Sequence, residues 1–254
     1  MISAIIQARM GSSRLPGKVL MKLDEKHTVL DYVIKQLSFS KLIDKKIIAT
    51  TDLEQDNVIE QACRNLGLEF FRGSSDDVLN RYYKCAKKFN VDNILRITSD
   101  CPLIDPEIVD RVIKKYQTKE FDYVSNTLIR TFPVGTDVEI FSFKLLEKSW
   151  ENSTLPSERE HVTLYIRNKK LNCRLGNLEN DKKLDHLRWT LDRIEDFELI
   201  KKITEKISKR PILMNDILDL FSAEPELIKI NAHISQNEGI QRSLKKDKQK
   251  TNQE

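Results

Sequence analysis

Residues 1–20 read MISAIIQARMGSSRLPGKVL, a short apolar run that leads directly into a loop rich in glycine and basic residues. The run from Ile2 to Ile6 has the length and composition of a buried strand. In open α/β sheets, ligands bind where loops leave the carboxyl ends of the strands. The start of the chain therefore predicts a sheet whose first loop, within Ile5 to Leu20, is a ligand-binding site.

The rest of the chain alternates short apolar runs with longer segments of helical period. This alternation is typical of βαβ units, and it predicts an α/β fold with a mainly parallel sheet. Further strands are predicted at residues 46–50, 69–71, 93–98, 137–143 and 187–191. Helices are predicted at residues 29–37, 57–66, 76–89, 106–116, 145–150, 160–168, 195–207 and 215–221. Ser74 or Ser75 is the expected N-cap of the third helix, and Asp105 that of the fourth.

The length of 254 residues suits one compact domain, which we place at residues 1–234. Residues 235–254 carry five basic and three acidic side chains, and we expect this polar tail to be disordered. No apolar run approaches the roughly 20 residues that a membrane-spanning helix needs, and the first residues lack the basic flank of a signal peptide. We therefore expect a cytoplasmic protein without a membrane segment.

Charge and cysteine content argue against two classes of function. The net charge of +4, from 43 basic and 39 acidic residues, is too balanced to favour nucleic acid as a partner. The basic residues that matter are expected to act locally, on a phosphorylated small molecule. The four cysteines form no Cys-x-x-Cys pair and are spaced too widely for a zinc site or a disulfide framework: Cys63, Cys85, Cys101 and Cys173.

The loop after the first strand combines a permissive backbone with positive charge. Gly11 and Gly17 allow the backbone to approach an anion closely. Three cations within ten residues suit a triphosphate: Arg9, Arg14 and Lys18. A P-loop is excluded because five residues separate the two glycines, where that motif has four, and Val19 stands where a magnesium-binding hydroxyl would be. A solvated basic turn is the alternative interpretation.

Two aspartates follow predicted strands and are expected at the same edge of the sheet as this loop. Asp100 comes after the strand at residues 93–98, and Asp192 comes after the run at residues 187–191. Transfer of a nucleotidyl group develops charge on phosphate oxygens, and Mg²⁺ held by one or two carboxylates neutralises such charge. The pair predicts a Mg²⁺ site, and the alternative is that each aspartate only caps the helix that follows it.

Several motifs together resemble the cytidylyltransferases that activate sugar acids. They are Ile6-QARMGSSRLPGKV-Leu20, Arg72-GSSDDVLN-Arg81, Arg96-ITSDCPLI-Asp105, Asp137-V-Glu139, Arg159-E-His161 and Arg188-WTL-Asp192, and the resemblance spans residues 1–231. It is closest to the branch typified by spore-coat polysaccharide biosynthesis proteins and more distant to the CMP-Kdo and CMP-sialic acid synthetases. Two positions depart from the distant relatives: Gln7 replaces a usual proline, and Arg193-Ile194 replaces a frequent Thr-Pro.

This resemblance implies a Rossmann-like three-layer fold of the nucleotide-diphospho-sugar transferase type. It also implies transfer of CMP from CTP to a sugar acid with release of pyrophosphate, for surface polysaccharide synthesis, by a Mg²⁺-dependent homodimer. Asp100 and Asp192 correspond to the metal ligands, and Arg9, Lys18 and Asp100 to catalytic residues. The implied nucleotide-binding residues are Ala8, Arg9, Gly11, Ser12, Arg14, Lys18, Arg72, Gly73, Asn80, Arg81 and Thr98.

The acceptor side of the expected site is less defined by the sequence. Asp137 and Glu139 are candidates to accept hydrogen bonds from sugar hydroxyls, and Arg130 or Arg159 to bind a carboxylate. The alternative, which the residue types favour for each of them, is a structural ion pair, and the role of His161 stays open. Two other functions remain: a metal-dependent glycosyltransferase, which the absence of an Asp-x-Asp motif disfavours, and a noncatalytic nucleotide-binding protein.

Overall fold

The computed structural model describes residues 1–168, 170–235 and 238–251. Its strands are β1 Ile2–Gln7, β2 Lys45–Thr51, β3 Glu69–Gly73, β4 Asn93–Thr98, β5 Tyr123–Ser125, β6 Glu139–Ser142 and β7 Leu175–Asn177. Its helices are α1 Val29–Leu37, α2 Asn57–Asn65, α3 Val78–Lys88, α4 Pro106–Gln117, α5 Phe143–Asn152, α6 Pro156–Glu160, α7 Leu164–Arg167, α8 Ile194–Lys206, α9 Met214–Ala223 and α10 Glu238–Thr251. Short 3₁₀ turns span Lys18–Leu20, Glu54–Asp56 and Pro225–Ile230.

The strands form one sheet in the order β3-β2-β1-β4-β6-β5-β7 within the described residues. β3, β2, β1 and β4 are parallel, and β6 runs antiparallel to both of its neighbours. Gln7 at the end of β1 lies level with Thr98 at the end of β4. The loops that leave these two central strands therefore emerge side by side, and the expected mainly parallel α/β sheet is confirmed.

Helices cover both faces of the sheet because successive residues of its central strands point to opposite sides. Ala4 and Ile6 pack with α1, α2 and α4 in one apolar cluster, and Ile5 packs with α3, α5 and α7 in another. Burying a side chain such as Ile5 contributes roughly 1.5–3 kcal/mol. The predicted three layers are thus confirmed. In the described parts of the chain, the helices are all too short or too polar to span a bilayer.

A third apolar cluster lies under α8 and α9, and it explains a wrong prediction. Residues 187–191, expected to form a strand, contribute only an isolated bridge between Val134 and Arg188. Trp189 and Leu191 are instead fully buried in this cluster. Their backbone amides donate to Val134 O at 2.8 Å and Asp100 O at 2.7 Å, respectively. The run is apolar because it lines a core, and it still delivers Asp192 to the loop of Asp100.

Three other boundaries differ from the sequence prediction. α3 begins at Val78 with Asp77 as its N-cap, which accepts from Asn80 N at 2.8 Å, so neither Ser74 nor Ser75 caps it. The helix expected at residues 160–168 is divided into α6 and α7, and Val162 between them has a φ of 53°. The strand expected from residue 137 begins at Glu139.

The C-terminal segment differs from the expected disordered tail, since α10 spans Glu238–Thr251. Ser243 Oγ donates to Glu160 Oε2 at 2.6 Å and lies 2.9 Å from His161 Nε2. Asp247 accepts from Ser157 N at 2.9 Å. The polar composition of this segment favours disorder in a sequence-based prediction. Its hydrogen-bond partners on α6 are distant in sequence and are identified only from the structure. Residues 252–254 lie outside the described residues.

Candidate active site

A cleft of about 790 Å³ opens at the carboxyl edge of β1 and β4. It is bordered by the first loop, the loop of Asp100, the segment at Asp192 and the side of α6. Of the residues singled out in the sequence, those lining it are Ala8, Arg9, Gly11, Ser12, Arg14, Lys18, Arg81, Thr98, Asp100, Arg159, His161 and Asp192. The structure thus brings together most of the expected site.

The backbone of the first loop is closed by hydrogen bonds to Met10. Met10 O accepts from Ser12 N and Gly17 N, both at 2.9 Å, and Met10 N donates to the buried carboxylate of Asp56 at 2.7 Å. Gly17 has a φ of 71°, a left-handed conformation that favours glycine. At Gly11 a Cβ would lie 2.9 Å from Nε2 of Gln55. The loop therefore has a fixed shape, and Asp56 is an anchor that sequence reasoning missed.

Lys18 joins the two aspartates that the sequence placed at this edge. Its Nζ lies 3.2 Å from Asp100 Oδ2 and 3.1 Å from Asp192 Oδ1, and it also donates to Leu191 O at 2.5 Å. The side chain is buried, with 8% of the residue exposed. Burial opposes the charged form, but the carboxylates of Asp100 and Asp192 outweigh it and raise the pKa of Lys18. The predicted convergence of the two acids is therefore present in the geometry.

Asp192 also binds the second basic residue of the first loop. Arg14 Nη2 donates to Asp192 Oδ1 at 2.5 Å. Burial acts to raise the pKa of Asp192, but the charges of Lys18 and Arg14 dominate and lower it. Neither acid serves as a helix cap: Asp105 caps α4, and the amides of Asp192 and Arg193 donate to Asp196. The capping interpretation of the pair is wrong.

The acid pair fits the donor set of a Mg²⁺ ion that is shared with a phosphate ligand. Both carboxylates contact the ammonium of Lys18, and 29% of the Asp100 side chain and 24% of the Asp192 side chain remain exposed. No group of three His, Cys, Asp or Glu residues that could hold a metal occurs in the described part of the chain. Mg²⁺ is commonly bound through one or two carboxylates together with substrate phosphates, so two acids are sufficient.

A buried network behind the site fixes the position of Asp192, and the sequence did not reveal it. Arg188 binds Asp196 through two hydrogen bonds of 3.0 Å. Asn231 Nδ2 donates to Asp196 Oδ1 at 2.8 Å and to Arg188 O at 3.2 Å. Asp196 Oδ2, which accepts one of the two bonds from Arg188, also accepts from the amides of Asp192 and Arg193. The sequence shows that Asp196 lies in the first turn of a predicted helix. It does not show that Arg188 is its partner, because the tertiary fold brings the two together.

Arg9 and Arg81 face the same cleft without a carboxylate within 4 Å among the described residues. Arg9 Nη1 makes one long contact, 3.4 Å, to Ser75 O, and Arg81 Nη1 donates to Ser74 O at 2.7 Å. Arg81 is 1% exposed, and its Nε has no hydrogen-bond partner. Burial and the nearby Arg9 charge lower the pKa of Arg81. This part of the cleft carries positive charge that an anionic ligand would neutralise.

Three residues predicted to bind nucleotide do not line the cleft. Arg72 donates to Thr51 O and to Glu60 Oε2, both at 2.9 Å. Asn80 Oδ1 accepts from Trp150 Nε1 at 3.1 Å. A Cβ on Gly73 would lie 2.7 Å from Phe71 Cε1. These residues hold the corner between β3 and α3, and that corner carries Arg81 into the cleft.

A smaller cavity of about 220 Å³ adjoins the cleft and contains part of the expected acceptor side. Arg130 and Asp137 line it and form two hydrogen bonds of 2.7 Å with each other. Arg159 lines the larger cleft, where it donates to Ser153 O at 3.0 Å and contacts Asp77 at 3.4 Å. His161 borders both cavities, and burial lowers its pKa.

Glu139 lies below the cleft and lines neither cavity. It forms an ion pair with Arg96 and accepts from Tyr123 OH at 2.5 Å and from Thr163 Oγ1 at 2.6 Å. Burial acts to raise its pKa, but Arg96 dominates and lowers the pKa of Glu139 to about 2. Arg96 in turn lines the cleft and donates to Gln7 Oε1 at 3.0 Å. Glu139 therefore reaches the cleft only through Arg96, a residue the sequence did not single out.

The parallel strand ends, the basic first loop and the paired acids together define a nucleotidyltransferase of the Rossmann-like α/β class. A family model described as cytidylyltransferase matches residues 3–221 of the chain. The chain belongs to the cytidylyltransferase family.

Curated relatives agree with this assignment. An uncharacterized protein of Methanocaldococcus jannaschii is 37% identical over 237 residues, which cover 92% of this chain and 96% of the relative. The spore coat polysaccharide biosynthesis protein SpsF of Bacillus subtilis is 36% identical, covering 87% and 94%. A 3-deoxy-manno-octulosonate cytidylyltransferase of Trichlorobacter lovleyi is 34% identical over 117 residues, 45% of this chain and 44% of the relative.

Solved structures support the same fold. A cytidylyltransferase of Leptospira borgpetersenii superposes with a TM-score of 0.85 at 34% identity, covering 89% of this chain and 96% of that chain. A CMP:2-keto-3-deoxy-manno-octonic acid synthetase complexed with CTP gives a TM-score of 0.62 at 15% identity, covering 81% and 98%. This second likeness concerns the fold alone.

Proposed function

We propose that this cytidylyltransferase transfers CMP from CTP to a sugar acid and releases pyrophosphate. The observation that carries the proposal is the division of positive charge in the cleft. Arg9 and Arg81 face the cleft without a carboxylate partner in the described residues, beside an acid pair bridged by Lys18. A ligand that carries several negative charges and binds a divalent cation held by carboxylates fits this arrangement. A nucleoside triphosphate has both properties.

Each basic residue of the cleft has a distinct task in this proposal. Arg9 and Arg81 supply charge and hydrogen-bond donors to phosphate oxygens, because their guanidinium groups are not occupied by carboxylates. Arg14 and Lys18 hold the acid pair and offset its negative charge where the phosphates approach. The fixed first loop presents its backbone to the ligand, so little ordering is required on binding.

Asp100 and Asp192 are the proposed ligands of Mg²⁺, which when bound would supply further neutralisation of charge on the transferred phosphate and on pyrophosphate. The network of Arg188, Asp196 and Asn231 holds the Asp192 backbone in place for this task. The acceptor hydroxyl loses its proton to solvent, its oxygen forms a bond to the α-phosphorus, and the bond from that phosphorus to the departing pyrophosphate breaks. Positioning and charge neutralisation are the main contributions of the protein.

A sugar acid as acceptor, in the synthesis of surface polysaccharide, is supported by the relatives and by the charge around the smaller cavity. The names of two relatives refer to spore coat polysaccharide and to 3-deoxy-manno-octulosonate, an eight-carbon sugar acid. Arg130 lines the smaller cavity, which lies beside the acid pair, where an acceptor would reach the α-phosphate. Homodimerisation, which the sequence resemblance implies, stays a prediction that light scattering in solution would test.

The experiment is a matrix of nucleoside triphosphates against sugar acids, with pyrophosphate release as the readout. CTP with Mg²⁺ and one class of sugar acid is expected to give turnover, and UTP, GTP and ATP much less. Omission of Mg²⁺ and the Asp100→Asn variant serve as controls. Pyrophosphate release from another nucleotide, or CTP binding without turnover on any acceptor, would overturn the proposal in favour of a different transferase or a nucleotide-binding protein.

A further inference from the structure

An ion pair between the body of the protein and α10 lies at the smaller cavity. Arg193 Nη2 lies 3.1 Å from Glu238 Oε1 and 3.0 Å from Glu238 Oε2, and both residues line that cavity. Glu238 is the first residue of α10, whereas Arg193 directly follows the acid Asp192. The Arg193 side chain is 44% exposed, so its guanidinium is accessible from the cavity.

The other guanidinium groups around this cavity bind carboxylates of the protein body. Arg130 and Arg188 each have a carboxylate in a two-bond arrangement, with Asp137 and Asp196, respectively. Arg14 binds Asp192. Among the described residues, Arg193 is therefore the arginine of this cavity whose carboxylate comes from α10, a separate element at the end of the chain.

The attachment of α10 to the body is polar. The side chains of this helix that the structure describes as buried are those of Ser243 and Asp247, which contact residues of α6. Leu244, between them, is exposed. Hydrogen bonds of this kind give a small net stabilisation because water replaces them, and a partly exposed ion pair contributes little more. Glu238 can thus leave Arg193 without loss of an apolar core.

We propose that Arg193 binds the carboxylate of the acceptor sugar acid, and that Glu238 occupies this position until the acceptor displaces it. The proposal rests on the proposed function and names the residue that selects an acid over a neutral sugar. The planar guanidinium of Arg193 can form the same two hydrogen bonds with the carboxylate of Glu238 and with that of the acceptor. A neutral sugar offers no group that replaces Glu238, so it would meet a closed cavity.

The test compares a carboxylate acceptor with its methyl ester, using 3-deoxy-manno-octulosonate and an acylneuraminate as probes. The variants are Arg193→Gln, Glu238→Gln and the double variant in the full chain. Arg174→Gln, which breaks an exposed Arg–Asp pair far from the cleft, is the matched control. Pyrophosphate release gives KM and kcat for each acceptor and KM for CTP.

Arg193→Gln is expected to raise KM for the acid about tenfold or more, to leave KM for CTP unchanged and to abolish the preference for acid over ester. Glu238→Gln is expected to lower KM for the acid severalfold, and to have no effect when Arg193 is already glutamine. An unchanged acid preference in Arg193→Gln, with active wild-type protein, overturns this inference alone. Wild-type protein inactive with every acid overturns the proposed function, and the inference with it.

Discussion

The two cavities of the candidate active site differ in whether every arginine that lines them has a carboxylate partner. In the larger cleft, Arg9 and Arg81 have no carboxylate partner in the described residues, and Arg81 is almost completely buried. In the smaller cavity, Arg130 and Arg193 are each bound by a carboxylate. Under the proposals above, the first region receives an anion without rearrangement, whereas the second exchanges one carboxylate for another.

The largest effect is expected at the acids that separate the two regions. Asp100→Asn keeps the shape of the side chain but removes the charge that faces Lys18 and the cleft. Turnover is expected to fall by about a thousandfold, since the proposed Mg²⁺ site loses a ligand and with it the cation that would neutralise charge on the transferred phosphate. Pyrophosphate release measures the loss, and a thermal melt provides the control for folding. Near-normal Mg²⁺-dependent turnover in Asp100→Asn would rule out this acid as a metal ligand.

Glu139 is a fully paired carboxylate below the cleft, and its contribution to the free energy of unfolding is expected to depend on pH. Its pKa is lowered to about 2 from an ordinary value of 4.5, so its contribution is present above pH 4.5 and is lost as pH falls towards 2. Wild type is expected to be more stable than Glu139→Gln by about 3 kcal/mol at pH 7. Urea unfolding at pH 7 and pH 3 measures this difference. A difference that stays constant over this range would contradict the assigned pair with Arg96.

Substitution of Arg81 and of Arg72 by methionine distinguishes an effect on ligand binding from an effect on folding. Arg81→Met is expected to raise KM for CTP by about tenfold to a hundredfold, with a change in unfolding free energy below about 1 kcal/mol because no carboxylate loses a partner. Arg72→Met is expected to leave KM for CTP unchanged and to cost about 1–2 kcal/mol of stability, since the carbonyls of Thr51 and Leu53 lose a donor. Kinetics and urea titration on both variants decide, and the reverse pattern would refute the placement of these two arginines.

The smallest effects are expected at the glycines of the first loop. Gly17→Ala forces a side chain into a left-handed conformation and is expected to cost about 1 kcal/mol. Gly11→Ala meets only the flexible end of Gln55 and is expected to cost less than about 0.5 kcal/mol. Urea unfolding of both variants ranks them. If Gly11→Ala were the more damaging of the two, the loop would be held by its contact with Gln55 more than by its backbone conformation.

The fold was predictable where local pattern and topology agree. The strands predicted at residues 2–6 and 93–98 and the Asp105 cap follow from periodicity and from capping chemistry, and all three are confirmed, the first strand extending one residue further to Gln7. The run at residues 187–191 has the same apolar character, yet it packs under α8 and α9. An apolar run predicts that a segment is buried, but it does not predict whether the segment forms a strand of the sheet or packs in the core without regular structure. The helix over Glu238–Thr251 was missed for the opposite reason, since its partners are polar.

The site was predictable at the level of the backbone and less so at the level of side chains. The order of strands and loops along the chain predicts which segments end at the carboxyl edge of the sheet. Three residues converge there for this reason: Lys18, Asp100 and Asp192. Arg72 and Glu139 were expected at the ligand, but their directions depend on Glu60 and Arg96, which are distant in sequence. Asp196 and Arg96 were overlooked for the same reason.

The ammonium of Lys18 between the two acids has a consequence for the resting protein. Two neighbouring carboxylates that share a site repel each other unless a cation lies between them, and here the chain itself provides that cation. The folded state is therefore independent of the supply of divalent ions, and a chelator is expected to leave the melting temperature unchanged. Under the proposed Mg²⁺-dependent function, scarcity of such ions would stop turnover while the chain stays folded.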